Sequence, residues 1–173
     1  MAAKALLVID MLEDFLSPHG NLFVGPDAAR VTQAVAAELS RAREAGWPVI
    51  YVCDTHAPED REFTMFPPHC LGGTPGARVV AEVALQPGDV FIPKRRFSAF
   101  FGTDLDLTLR ERGIEELVLV GVCTNICILY TAADARMLGY EVTVLSQAVC
   151  SFDRAAHDFA LGQLESVLGC RVK

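Results

Sequence analysis

The stretch Leu117-Val118-Leu119-Val120-Gly121-Val122-Cys123-Thr124-Asn125-Ile126-Cys127 decides how this chain is read, because an apolar run there gives way to a helical pattern. Leu117 to Val122 is apolar and carries three valines, as a parallel strand buried on both faces requires, while Ile128 to Leu138 places apolar groups at helical spacing. Cys127 therefore falls in the first helical turn. Backbone N–H groups there lack intrahelical partners and the helix dipole is positive, so the thiolate is expected to be favoured and its pKa lowered. The same N–H groups are placed to hold an oxyanion.

The rest of the chain repeats the pattern. Apolar runs predict strands at Ala5–Asp10, Pro48–Asp54, Asp89–Pro93, Leu117–Val122, Glu141–Leu145 and a short Cys170–Val172. Helices are predicted between them, at Asp27–Ala45, Gly76–Leu85, Asp104–Arg112, Thr124–Leu138 and Arg154–Leu168, several of them closed by glycine. In Asp27–Ala45 the residues Val31, Val35, Leu39 and Ala42 mark one face. Strand and helix alternate throughout, which implies parallel strands joined by right-handed crossovers. The expectation is an α/β single domain over residues 1–173, a six-stranded, mostly parallel open sheet with helices on both faces. Six strands are too few for an eight-stranded barrel.

Composition bounds the function. The chain has 173 residues, 51% hydrophobic and 21% charged, which suits one globular core and leaves little room for a disordered tail. The net charge of −7 argues against a nucleic-acid partner, since Lys94-Arg95-Arg96 is the one basic run and is too short for a phosphate-binding patch. No apolar stretch approaches the roughly 20 residues that span a bilayer, so no membrane association is expected. Met1 to Ile9 has no secretory cleavage pattern and reads as a strand. Six cysteines in this setting are expected to be reduced, in the cytoplasm. Cys53, Cys123, Cys150 and Cys170 sit in or beside apolar runs and read as buried small hydrophobes.

Ligands of open α/β sheets bind beyond the carboxyl ends of the strands. Asp10 follows the first strand, Asp54 and His56 the second, Lys94 the third and Cys127 the fourth. Asp10 or Lys94 alone would read as a strand-end loop residue. Together with Cys127 they supply what a thiol nucleophile needs, a base for its proton and a cation for the resulting charge. The long irregular stretch Thr55–Thr74 holds two of the four histidines, and loops of that length are usually functional or disordered. Its Phe63, Phe66 and Pro67-Pro68 argue for order.

These residues resemble the isochorismatase-like cysteine hydrolases, and within them the nicotinamidase/pyrazinamidase branch. The resemblance runs through Val8-Ile9-Asp10-Met11-Leu12-Glu13-Asp14-Phe15, Asp54-Thr55-His56, Phe66-Pro67-Pro68-His69-Cys70, Lys94, the Gly121–Cys127 turn and Thr131-Ala132-Ala133-Asp134-Ala135. It implies a catalytic triad of Asp10, Lys94 and Cys127. It also implies a cis peptide between Val122 and Cys123, which would aim the Cys123 N–H, with that of Cys127, at the developing oxyanion.

Asp54 and His56, two apart on an extended chain, point the same way, and His69 follows in the loop. The resemblance implies that Asp54, His56 and His69 hold a divalent ion (Zn, Fe or Mn), with Glu62 as the additional ligand and Glu59 or Asp60 as its alternatives. The competing reading is a hydrogen-bonded loop without metal. Because the triad comes from other strands, the two groups are expected to act independently. Phe15, Phe66 and Cys123 are expected to contact substrate, and at least one of Phe97, Phe100 and Phe101 to face the pocket. Asp14 is expected to orient the loop after the first strand. His19 and His157 lack ligand partners and read as ordinary surface or loop residues.

The implied activity is hydrolysis of a small-molecule amide, nicotinamide to nicotinate and ammonia, by a homo-oligomer (dimer or tetramer). Two alternatives keep different parts of this reading. A relative cleaving a carbamoyl or ureido substrate would share the triad, and a non-catalytic flavodoxin-like binding module would share only the fold.

Overall fold

The computed structural model describes residues 3–173. The strand reading of Met1–Ile9 is met from Ala3 onward, and Met1 and Ala2 lie outside the described residues. Strands β1 (Ala3–Ile9), β2 (Val49–Asp54), β3 (Val90–Lys94), β4 (Ile114–Val122), β5 (Glu141–Cys150) and β6 (Arg171–Val172) form one sheet in the order β3-β2-β1-β4-β5-β6. Every pairing is parallel. The chain starts in the middle, winds out to β3 and returns to β4 beside β1, so the switch point of this doubly wound sheet lies between β1 and β4.

Alternation along β1 explains the layers. Leu6 and Val8 point to the face covered by α1 (Glu13–Leu16) and α2 (Ala28–Glu44), where Val31, Val35, Leu39 and Ala42 are buried as their spacing predicts. Ala5, Leu7 and Ile9 point to the other face, covered by α3 (Leu105–Glu111), α4 (Leu129–Met137) and α5 (Arg154–Ser166). Truncating a fully buried side chain such as Leu39 to alanine would cost about 2–5 kcal/mol.

Besides α1, which has no counterpart in the sequence reading, and β4, which starts at Ile114 rather than Leu117, three elements differ from it. Gly76–Leu85 is not an α-helix but two short 3₁₀ turns, Pro75–Ala77 and Ala81–Val83. Between them the backbone is held against the exit of β1, with Val80 N–H donating to Met11 O (3.1 Å) and Glu13 N–H to Arg78 O (2.9 Å). Those tertiary bonds replace the helical ones. β5 continues past Leu145 to Cys150, through the polar Ser146-Gln147. Finally, Thr124–Ile128 is a π-helical turn ahead of α4, because Cys123 O accepts from the N–H of Ile128, five residues on (3.1 Å).

The close approach at the switch point requires glycine. Gly121 has φ +119°, and a Cβ there would lie 1.9 Å from Ile9 O. Only without a side chain can β4 run this close to the end of β1, one residue before Asp10.

Candidate active site

Strand ends bring the reactive groups together. The β2–β3 register pairs Asp54 with Lys94, and the Asp54 N–H donates to Asp10 Oδ1 at 2.7 Å. Asp10 stands just beyond β1 at φ 53°, a left-handed conformation that Asp adopts more readily than most residues. Lys94 Nζ lies 2.6 Å from Asp54 Oδ1, 2.8 Å from Asp10 Oδ2 and 3.4 Å from Cys127 Sγ. A carboxylate oxygen of Asp10 and Cys127 Sγ lie within 4.8 Å of each other. Asp10, Lys94 and Cys127 are 0%, 1% and 5% exposed, so their charges are balanced by one another rather than by water. The Val122–Cys123 peptide is cis.

One ammonium thus serves two carboxylates. Burial, and then the neighbouring Asp54 carboxylate, push the Asp10 pKa up to about 6, against the pull of Lys94. For Asp54 the penalty of burial is outweighed by Lys94 and the two imidazoles, which hold it well below the usual carboxylate range. Burial works against the Lys94 charge too, but Asp10 and Asp54 raise its pKa well above the ordinary lysine value. Cys127 corrects the expectation drawn from the helix start. Burial pushes its thiol well above the ordinary value, Lys94 pulls it down, and Asp10 and Asp54 push it up again. Desolvation thus favours the neutral thiol, against the pull of Lys94.

Beside this triad stands a second cluster. Asp54, His56, Glu62 and His69 each offer a ligand atom, all within 4.8 Å of one another. His56 Nε2 lies 3.6 Å from Asp54 Oδ1 and 3.8 Å from Glu62 Oε1, and His69 Nε2 lies 3.7 Å from Asp54 Oδ2 and 3.9 Å from Glu62 Oε1. These separations are too long for hydrogen bonds. They are close to the spacing of about 3.3–3.6 Å that tetrahedral N/O ligands at about 2.0–2.2 Å from a zinc ion would adopt. Among the described residues the buried His56 Nε2 and Glu62 Oε2 have no hydrogen-bond partner. Both histidines engage Nδ1 elsewhere, His56 with Asp60 Oδ2 (3.2 Å) and His69 with Pro67 O (2.8 Å). Each therefore turns Nε2 inward. The residues fit a divalent cation better than a hydrogen-bonded loop.

The two clusters touch, although the sequence reading placed them on separate strands and expected them to act independently. Asp54 belongs to both, through its contact with Lys94. Asp14 reaches further than the loop after β1: Oδ1 accepts the Asn21 N–H (3.1 Å) and Oδ2 accepts the Cys70 N–H (2.7 Å), next to His69.

A narrow cleft opens onto both clusters. Phe15, Phe66 and Cys123, read from the sequence as substrate contacts, line it with Asp54, Glu62, His69 and Cys127. Phe97 and Phe152 complete its aromatic wall, and no lysine or arginine is among the lining residues. Phe100 instead stacks on Tyr140 (5.8 Å between centroids), and Phe101 is exposed. His19 is exposed as expected, but His157 is buried, its Nδ1 2.8 Å from Thr124 Oγ1 at the start of the π turn. Its spacing with Ala160 and Leu164, the buried face of α5, is the sequence signal that would have found it. All six cysteines are free and buried, and no helix among the described residues is long and apolar enough to cross a membrane.

Solved structures share this fold. The chain superimposes on pyrazinamidase/nicotinamidase from Streptococcus mutans UA159 with a TM-score of 0.94 at 37% identity, covering 99% of this chain and 100% of that one. The crystal structure of N-carbamoylsarcosine amidase from Thermoplasma acidophilum matches with a TM-score of 0.89 at 35% identity, over 99% and 95% of the two chains. Pyrazinamidase of Pyrococcus horikoshii, solved in complex with zinc, matches with a TM-score of 0.92 at 32% identity, over 98% of each chain. The isochorismatase domain profile matches residues 4–171, and with these relatives it shows that the chain belongs to the isochorismatase family.

Proposed function

We propose that the protein hydrolyses a small planar aromatic amide, nicotinamide foremost, to the acid and ammonia through a thioester on Cys127. The observation that carries this reading is the cleft itself: aromatic walls, a thiol at its base and a cluster of inward-facing ligands, with no lining cation. A heteroaromatic ring with one nitrogen lone pair suits such walls. A carbamoyl or ureido substrate lacks the flat ring that such walls would hold.

In this reading the Cys127 thiol proton passes to Asp10 as Sγ attacks the carboxamide carbon. Asp10 is placed for that role, its Oδ2 beside Lys94 Nζ at 2.8 Å and a carboxylate oxygen within 4.8 Å of Cys127 Sγ. A base with a pKa of about 6 is matched to neutral operation. Lys94 keeps the charged intermediate neutralised, and the N–H groups of Cys123 and Cys127 hold the oxyanion. When the C–N bond breaks, the Asp10 proton leaves with ammonia. Asp10 then takes a proton from the water that attacks the thioester, and returns it to Sγ as the acid departs.

A divalent ion (Zn, Fe or Mn), one per chain, would be held by Asp54, His56, Glu62 and His69, and when bound supplies an electron-pair acceptor for the ring nitrogen. The six free cysteines support a reducing, cytoplasmic setting. Tyr130 and Met137, exposed on α4 opposite its buried face, support a homo-oligomer.

Ammonia release from nicotinamide and from N-carbamoylsarcosine, measured side by side on the metal-loaded protein, tests the proposal. It expects turnover of the first and little of the second. The reverse preference would overturn it in favour of the carbamoyl reading.

A further inference from the structure

Asp60 belongs to neither cluster, yet it is 3% exposed and spends both carboxylate oxygens inside the site. Oδ2 meets His56 Nδ1 at 3.2 Å, and Oδ1 accepts the Glu62 N–H at 3.0 Å, capping the 3₁₀ turn Arg61–Thr64 that carries Glu62. Arg95 Nε donates to Oδ2 at 2.9 Å and Arg96 Nη1 to Oδ1 at 3.0 Å. These arginines directly follow Lys94. One carboxylate therefore touches two of the four inward-facing ligands and ties their loop to the strand end that presents the lysine.

We propose that Asp60 is the positioning residue of the cation site: it fixes His56 as the Nδ1–H tautomer, leaving the Nε2 lone pair for the ion, and sets the turn that delivers Glu62. This rests on the metal reading above. An imidazole can be rotated or re-protonated, and only a fixed acceptor at Nδ1 commits Nε2 to the cluster. His69 obtains the same commitment from the Pro67 carbonyl, a neutral acceptor on its own loop. Only at His56 is the acceptor a buried anion, itself pinned by two arginines. The charge makes the imidazole a stronger donor to a cation, and the arginines keep the carboxylate from turning away.

The substitution Asp60→Asn separates this role from simple packing, because it preserves size and one oxygen. That oxygen can serve the Glu62 N–H or His56 Nδ1 but not both, and the amide group meets a donor at the other position. Zinc affinity, read by competition with a chromophoric chelator on the stripped protein, should fall by about 10–100-fold, the usual cost of losing such a partner. Asp60→Glu, which keeps the carboxylate, should recover part of the loss. Zinc uptake by the natural protein with unchanged affinity in Asp60→Asn would overturn the role of Asp60 and leave the metal site standing. No zinc uptake by the natural protein would overturn the metal reading and this role with it.

Should Asp60→Asn not fold, the natural protein decides. With ¹⁵N-labelled histidine and zinc bound, His56 should show a protonated, hydrogen-bonded Nδ1 and a ligated Nε2. Ligation through Nδ1, or a protonated Nε2, would overturn the proposal.

Discussion

Lys94 Nζ lies 2.6 Å from Asp54 Oδ1, so a single ammonium is neighbour both to the thiol of Cys127 and to the cluster of cation ligands. A cation beside Asp54 would neutralise that carboxylate and release Lys94 towards Sγ. Removing it should do the opposite and raise the thiol pKa. Alkylation of Cys127 by iodoacetamide at neutral pH should therefore slow by about 3–10-fold on chelation, equivalent to half to one pK unit. An unchanged rate would show that the two clusters act separately.

Asp10 sets the acid side of the pH profile. As the base it must be ionised, and its pKa is raised to about 6, so kcat/KM of the metal-free protein should fall as pH drops through that value. Metal should move this limb to lower pH by relieving the repulsion from Asp54. The same shift means that the folded state holds this proton more tightly than the unfolded chain. The contribution of Asp10 to stability is thus complete below the ordinary carboxylate range and lost as pH rises through about 6. A profile flat from neutrality down to the ordinary carboxylate range would contradict the assignment.

Replacing Lys94 by Met keeps the length and removes the charge. Asp10 and Asp54 would then face each other, buried and without their shared cation, and urea unfolding should show a loss of about 3–5 kcal/mol at neutral pH. Turnover should fail as well. A variant as stable as the natural protein would mean that the carboxylates find their compensation elsewhere.

A glycine outside both clusters packs against Asp14. A Cβ on Gly76 would lie 2.2 Å from Asp14 Oδ2, the oxygen that accepts the Cys70 N–H beside His69. Gly76→Ala should displace Asp14, cost about 1–3 kcal/mol, and weaken zinc binding through His69. Chelator competition and thermal unfolding would check both. Unaltered zinc affinity would show that Asp14 does not hold the loop in place.

Much of this was legible because it rests on periodicity and strand ends. Apolar runs mark the strands, and the charged residues at their carboxyl ends, Asp10, Asp54 and Lys94, fall on one edge of the sheet through parallel register alone. Other features depend on what the chain meets in space. Gly76–Leu85 has apolar residues enough for a helix but lends its backbone to Met11 and Glu13. The thiol of Cys127 sits at a helical start, and burial reverses the effect that position predicts. Asp60 looks like any loop acid until the loop folds and Arg95 and Arg96 come to meet it.

If Cys127 carries the acyl group, mass spectrometry of the protein quenched in acid during turnover of nicotinamide should find it there. A nicotinoyl adduct is expected on the peptide containing Cys127, absent in Cys127→Ala, with turnover of that variant reduced by about 10⁴-fold or more while its fold is retained. Cys127→Ser should be nearly as inactive, since a hydroxyl is far less acidic than a thiol. An adduct on another residue, or substantial turnover by Cys127→Ala, would contradict that role for Cys127.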